Sequence, residues 1–545
     1  MKKILLTATA FSLIAGAAYA QNLEKGIQYY NYERYQSAQK ELQPLAASNP
    51  EANYYLGLAQ IGQEDYNGAK ATFGKDPSNF YNEAGMARIY FIQNQPAEAK
   101  KLLNDIVDHA RKKDWEKYKV AADAITYTKG GDIQNALAWY QKAMEKEENN
   151  AMLLIGLGDA YLKMQSGGGE SMTNYESAVS AGTHNSLAYS RIGYLWYAAQ
   201  NYKLALESYN KAKEADTSNP LPYRDLANAY QRAGNYENAL KNDELYLKKS
   251  DKSINDQIQY ANILFLAKKY PEAQSKMEEL ISGGHERPYM YRIIGYSAYE
   301  TKDYPKAYQN MQIFFKKEQD TSKLIPQDYL YMGKIYSALA AQDSLKQQVY
   351  ADSAEKAYLH AVAMDTTQNK GKIYHDIADG YKDAKLYAKA GEWYGKIVAA
   401  DTNAPALDYY YWGFWSYYGH EYDVAEKAFT AMKTKYPKEG SALYWLARVE
   451  AAKDSKAETG IAVQPYKDWL AFEAEGYTKE DQQLMYAYQY LAYYYYNQKN
   501  QTECLKWANK ILEKDTTNKF AQSLKDYFTS QKKNAQAAAD SSSKG

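Results

Sequence analysis

The chain of 545 residues contains one cysteine, Cys504, so it forms no internal disulfide. It has six histidines: His109, His184, His285, His360, His375 and His420. They are scattered, with no His-Glu-x-x-His or paired-cysteine pattern, which excludes the common zinc motifs. His375 and Asp379 lie four residues apart on one predicted helix, but no third ligand accompanies them and Lys382 shares that face. They read as a solvated helix face. Gly167-Gly168-Gly169 is followed by no Gly-Lys-Ser/Thr and preceded by no strand, so it reads as a turn rather than a phosphate loop. Gly156-x-Gly158 lies within a helical stretch and lacks the rest of a dinucleotide fingerprint. No serine, cysteine or aspartate stands out as a nucleophile. No catalytic residue, metal site or cofactor is therefore predicted, and the chain is read as a non-enzyme.

Excess charge of one sign is also missing. Lys and Arg number 66 and Asp and Glu 66. Loss of Lys2 and Lys3 with a leader would leave 64 − 66 = −2. A nucleic-acid binder would carry a basic excess. Past the amino terminus no segment is apolar enough to cross a membrane. Met1-Lys2-Lys3, the apolar run Ile4–Ala15 and the small residues Ala18-Tyr19-Ala20 form a secretory signal, with cleavage expected after Ala20. The apolar run is too short to span a bilayer, and no cysteine stands near the cut to take a lipid. These features predict a protein exported to the periplasm of a Gram-negative bacterium, in reach of the outer membrane.

What the chain has in quantity is a period. Tyr202, Tyr236, Tyr270 and Tyr304 are 34 residues apart, each followed three residues later by Ala205, Ala239, Ala273 and Ala307. Twelve residues before each alanine stands Gly193, Ala227, Ala261 or Gly295. Between Leu187 and Asn219, apolar residues at Ile192, Leu195, Trp196 and Ala199 fit one helix face, and Ala205, Tyr209 and Ala212 fit a second. Gln200-Asn201-Tyr202 separates the two, and Asp216-Thr217-Ser218-Asn219-Pro220 ends the unit. Small residues on facing helices let the backbones approach. The four turn tyrosines read as spacers packed on both helices.

This pattern resembles the tetratricopeptide repeat. Matching residues run from Gly26, Ala38, Leu42 and Pro50 to Ala492, Tyr495 and Cys504, which gives about fourteen copies. The resemblance implies an all-α fold, a right-handed superhelical solenoid of antiparallel helix pairs. Residues 1–20 are then a signal peptide, and 21–530 the solenoid with a final capping helix (Phe520, Leu524, Tyr527, Phe528). Residues 531–545 are a disordered tail. The copies with Gly333 and Ala447 carry insertions, near Ala341–Tyr350 and Lys453–Gly460, and the copy with Gly158 has glycines in its turn. Cys504 takes a slot that is alanine in other copies, as a small packed residue.

The resemblance also implies that the first helices line a concave groove. The groove positions lie three before, one after and four after each small residue. They select Tyr194 and Tyr197 (with Ser190), Arg224 and Asn228 (with Gln231), Arg292, Tyr296 and Tyr299, Tyr410, Phe414 and Tyr417, and Tyr493 and Tyr496 (with Gln489). His375, Asp379 and Lys382 take the same slots in another copy. The groove is thus expected to be tyrosine-rich and nearly uncharged. Tyrosine offers contact area, a hydrogen-bonding tip and few rotors. It also outnumbers phenylalanine by 59 to 12, so it is this chain's default aromatic everywhere. Relatives that grip peptide carboxylates cluster basic residues in the groove, and among the copies selected above, the one with Lys382 aside, only the isolated Arg224 and Arg292 are basic.

The function this implies is a periplasmic scaffold binding proteins or peptide segments of the cell envelope, without nucleic acid and with the oligomeric state left open. The alternative is an outer-membrane-associated glycan-binding protein. Starch-binding-type lipoproteins have similar length and aromatic platforms, but they carry a lipid-modified cysteine and a large insert that this chain lacks. Asp343-Ser344-Leu345, Asp352-Ser353-Ala354, Asp365-Thr366-Thr367 and Asp515-Thr516-Thr517 resemble an O-glycosylation acceptor of exported bacterial proteins. Helix capping by Asp-Thr-Thr accounts for the last two, leaving Ser344 and Ser353.

Overall fold

The computed structural model describes residues 20–367 and 370–542. The signal-peptide segment therefore lies outside the described residues up to position 19. The described chain is 75% helical, without strands, in 29 helices. These form fourteen consecutive antiparallel pairs and one final helix, so the all-α solenoid of paired helices is what the chain builds. The chain divides into two compact units, Met1–Glu286 with eight pairs and Arg287–Gly545 with six pairs and the final helix.

One pair shows how the sequence builds the rest. The sixth consists of Asn185–Ala198 and Tyr202–Ala215. Gln200 takes the left-handed conformation (φ 60°), and Asn201 caps the second helix by accepting from the Leu204 N–H. Tyr202 is the first residue of that helix, as Tyr236, Tyr270 and Tyr304 are of theirs. Its ring meets Tyr197 edge-on, with centroids 5.7 Å apart. The turn tyrosines thus clasp the last aromatic of the preceding helix; Phe265–Tyr270 and Tyr299–Tyr304 repeat the contact. Other turns repeat the device. Glu64, Lys302 and Lys499 are left-handed, and Asp65, Asp303 and Asn500 cap the helices that follow.

In several pairs the small residue of the first helix faces a large side chain of the second, sixteen positions on in the regular copies, seventeen after Gly158 and twenty-five after Gly333, where the pair is lengthened. A Cβ on Gly57, Gly158, Gly193, Gly333 or Gly413 would lie 2.3–2.5 Å from Phe73, Tyr175, Tyr209, Tyr358 or Phe429. Glycine is required there because the ring occupies the space of a methyl group. Gly193→Ala should therefore cost about 1–3 kcal/mol through forced displacement of the buried Tyr209 ring. Chemical denaturation would read the loss.

The first unit has a contact that stacking alone does not produce. Its first pair (20–31 and Tyr35–Leu42) meets the sixth and seventh pairs. Tyr32 donates to Asp216 (2.5 Å), 184 residues away. Arg224 pairs with Glu33 (2.5 Å). The Ser37 N–H and hydroxyl donate to Asp251 (3.0 and 2.5 Å). The unit is latched end to side.

In the second unit the insertion near 341–350 lengthens both helices of its pair, Pro326–Gln342 and Gln347–Met364. The other insertion is a loop built on Asp454, which accepts from the N–H groups of Glu458, Thr459 and Gly460 and from the Tyr490 hydroxyl. Burial opposes ionisation of this carboxyl, but those hydrogen bonds prevail and hold it down to about 2. Cys504 is fully buried as a small core residue, and burial pushes its thiol up to about 11. The last helix runs Lys519–Ser542, with Leu524 and Phe528 buried against the fourteenth pair. It continues through the tail expected to be disordered from 531, where Ala535 and Ala537–Ala539 supply high helix propensity.

Candidate functional site

Three concave regions lie on the first helices. In the first unit, Asn185–Ala198, Leu221–Arg232 and Ile254–Leu266 present one side to a hollow of about 710 Å³. Tyr194, Tyr197, Arg224 and Asn228 all line it, joined by Gln231, Tyr236 and Gln259. Tyr194 is 51% exposed. The Gln259 side chain donates to Gln231 across neighbouring pairs (2.9 Å). Asp225 also lines the hollow; burial raises its carboxyl to about 6 although Arg224 opposes the shift.

In the second unit, Ala406–Tyr418, Gly440–Lys453 and Asp481–Asn497 border a hollow of about 500 Å³. Tyr417 and Tyr493 line it, with Gln489. Arg448 lies over the Tyr486 ring at 4.2 Å and donates to the Tyr417 hydroxyl at 3.0 Å. Tyr486 and Tyr493 are 42% and 39% exposed, so the hollow offers two aromatic faces beside a guanidinium.

The other sequence-selected residues lie elsewhere. Tyr296 is not a groove residue: it is 4% exposed, donates to Asp328 at 2.6 Å and stacks on Tyr331 at 3.8 Å between centroids. Arg292 is drawn to the same carboxylate (2.6 Å) and lies over Phe314. Asp328, fully buried in the next pair, is what withdraws both from the surface. Burial and Asp328 together hold the Tyr296 phenol well above its usual range. Tyr299 packs edge-on against Tyr331. Tyr410 stacks on Phe414, which packs with Tyr417 around Trp445 of the next pair. Tyr496 packs on Tyr527 of the final helix. These aromatics join neighbouring pairs.

His375 and Asp379 are not brought together as a ligand pair. His375 contacts Asp408 (2.8 Å), which raises its pKa against the effect of burial, while Asp379 pairs with Lys382 (2.6 Å). Among the described residues no group of three His, Cys, Asp or Glu could hold a metal. Asp343, Asp365 and Asp515 accept turn bonds from the Leu345, Thr367 and Thr517 N–H groups.

The expectation of a nearly uncharged groove fails in the third region. An inner cavity of about 290 Å³ in the first unit is lined by Arg88, Lys119, Asp123 and Arg191 among tyrosines. Arg88 and Arg448 stand one residue after Ala87 and Ala447, slots the groove rule covers, so they were legible. Lys119, Asp123, Arg191 and Tyr486 fall outside the three slots.

Consecutive helix hairpins, the regular ones of this period, with a small residue of the first helix packed on a large one of the second, give the chain the geometry of a tetratricopeptide-type solenoid. No family model matches the chain, and no curated protein does. Solved structures with likeness include the C-terminal part of a TPR repeat-containing protein from Cytophaga hutchinsonii (26% identity, 49% of this chain, 98% of that one, TM-score 0.37). Another is a tetratricopeptide repeat protein from Parabacteroides merdae (19%, 50% and 98%, TM-score 0.32). A third is PilW, described as a type IV pilus biogenesis factor (16%, 39% and 98%, TM-score 0.33). These superpositions are loose, so the class rests on the repeat geometry itself. Among the described residues no helix is long and apolar enough to cross a membrane.

Proposed function

We propose that the chain is a non-enzymatic scaffold of the cell envelope, exported to the periplasm, that binds proteins or peptide segments through its two tyrosine-lined hollows. The observation that carries this reading is the convergence of Tyr194, Tyr197, Arg224 and Asn228, from consecutive repeats, on one exposed hollow. The second hollow repeats the chemistry with Tyr417, Arg448, Tyr486 and Tyr493. Exposed tyrosine beside arginine is the composition of interface hot spots. The export signal at residues 1–20 supports the compartment.

Crosslinking mass spectrometry in the native envelope tests the reading by naming both the partner and the repeat it touches. Tyr486→Ala with Tyr493→Ala, or Tyr194→Ala with Tyr197→Ala, should weaken the captured partner by at least about 2 kcal/mol, near thirtyfold in Kd. Undiminished binding by both double variants would remove the hollows from the mechanism. Glycan-array binding lost on Tyr486→Ala would instead favour the oligosaccharide reading.

A further inference from the structure

The inner cavity of the first unit holds a buried cation that among the described residues has no ion-pair partner of its own, although Glu33 and Asp123 also line it. Arg88 sits on the helix Phe80–Ile92, is 5% exposed and lines the cavity. Its Nε has no hydrogen-bond partner, and among the described residues its guanidinium has no ion-pair partner. The other cations nearby are matched. Lys119 pairs with Asp123 (2.6 Å), which also accepts from the Tyr140 hydroxyl (2.5 Å). Arg191 pairs with Asp159 (2.9 Å), whose oxygens are further occupied by the Tyr127 and Tyr175 hydroxyls (2.9 and 2.7 Å). Arg224 pairs with Glu33 at the latch. Arg88 is left with the face of Tyr127, 5.5 Å away, and with the field of Asp123, a carboxylate that Lys119 already engages.

An unpaired buried cation is costly unless a counter-charge accompanies it. A guanidinium presents parallel donors that fit a carboxylate or phosphate. The walls, Tyr30, Tyr35, Tyr55 and Tyr127, add aromatic surface, and the volume falls at the lower end of small-ligand cavities. Tyr30 and Tyr35 come from the first pair, so the latch completes the site. We infer that this cavity binds a small solute bearing one carboxylate or phosphate, with Arg88 receiving its charge. The site lies on other repeats than those of the second hollow and does not depend on the scaffold reading.

The test uses the full mature chain. Inorganic phosphate, acetate and benzoate are titrated separately by calorimetry, with sodium chloride holding ionic strength constant. At least one should bind saturably in the millimolar range or tighter, and which one separates a phosphate from a carboxylate site. Benzoate over acetate would show that the tyrosine walls take part. Arg88→Met should weaken that binding at least tenfold, and Lys510→Met, an exposed change elsewhere, should not. In chloride alone Arg88→Met should keep or raise the melting temperature, because removing a buried charge that has no direct ion-pair partner relieves a cost. Arg88→Gln is the second variant. Undiminished binding in both variants, or no saturable binding of any probe, would overturn the inference. Loss of the fold in both would show Arg88 to be a structural tie and overturn it equally.

Discussion

Asp243→Met should stabilise the first unit at pH 8 by roughly 2–4 kcal/mol and flatten its pH dependence. Asp243 is 1% exposed in the helix Tyr236–Lys249, and one of its carboxyl oxygens has no hydrogen-bond partner. It occupies the slot sixteen residues after the small Ala227, where the next two copies place Met277 and Met311. Burial, with the neighbouring Asp256 and Glu244 carboxylates adding to it, raises its pKa from 3.8 to about 7. Between those values the folded chain holds a proton that the unfolded chain has released. Stability from this group is therefore full below about pH 4 and lost as the pH rises through about 7. Methionine fills the same core position without an ionisable group. Denaturation at pH 5 and pH 8 would check this: wild type should lose stability between the two from this residue, and the variant should not. Equal slopes would show that Asp243 does not carry the effect.

Asp328→Ala should cost about 3–5 kcal/mol, the loss expected when one partner of a buried ion pair is removed. Asp328 is fully buried and accepts from Arg292, the Tyr296 hydroxyl and the Ile325 N–H. Without it, Arg292 keeps a charge that is largely shielded from water, and the Tyr296 hydroxyl loses its buried carboxylate acceptor. Each repeat of a solenoid contacts mainly its neighbours, so the damage should be local. Hydrogen exchange should accelerate most in Pro288–Glu300 and Pro326–Gln342. Unchanged protection there would refute the tie.

These two residues show where the sequence was readable. The pairing of helices followed from Gly193, Tyr202 and Ala205, because close packing needs small residues at fixed positions and helix hairpins recur with the same length. The outward slots of Tyr194, Tyr197, Arg224 and Asn228 followed from the same register. Tyr296 and Arg292 occupy the same slots, yet they are buried because an aspartate in the next repeat, Asp328, captures them; a slot rule carries no information about a neighbour's side chain. The inner charges have little slot signature: Arg88 stands in a groove position, but Lys119 and Arg191 lie between those positions and reach the cavity only through the packing of their neighbours. The latch from Tyr32 to Asp216 has no local signature, since nothing near either residue encodes a partner 184 positions away.

That latch also sets an order of events during synthesis. The first helix pair leaves the ribosome long before the aspartates that receive it. At roughly 5–20 residues per second, the 184 residues between Tyr32 and Asp216 take about ten to forty seconds to appear. Through that interval Tyr32, Arg34 and Ser37 stand without their partners while the second to fifth pairs accumulate behind them. Completion of the amino-terminal edge thus waits on the emergence of the seventh repeat, from the ribosome or, for an exported chain, from the membrane.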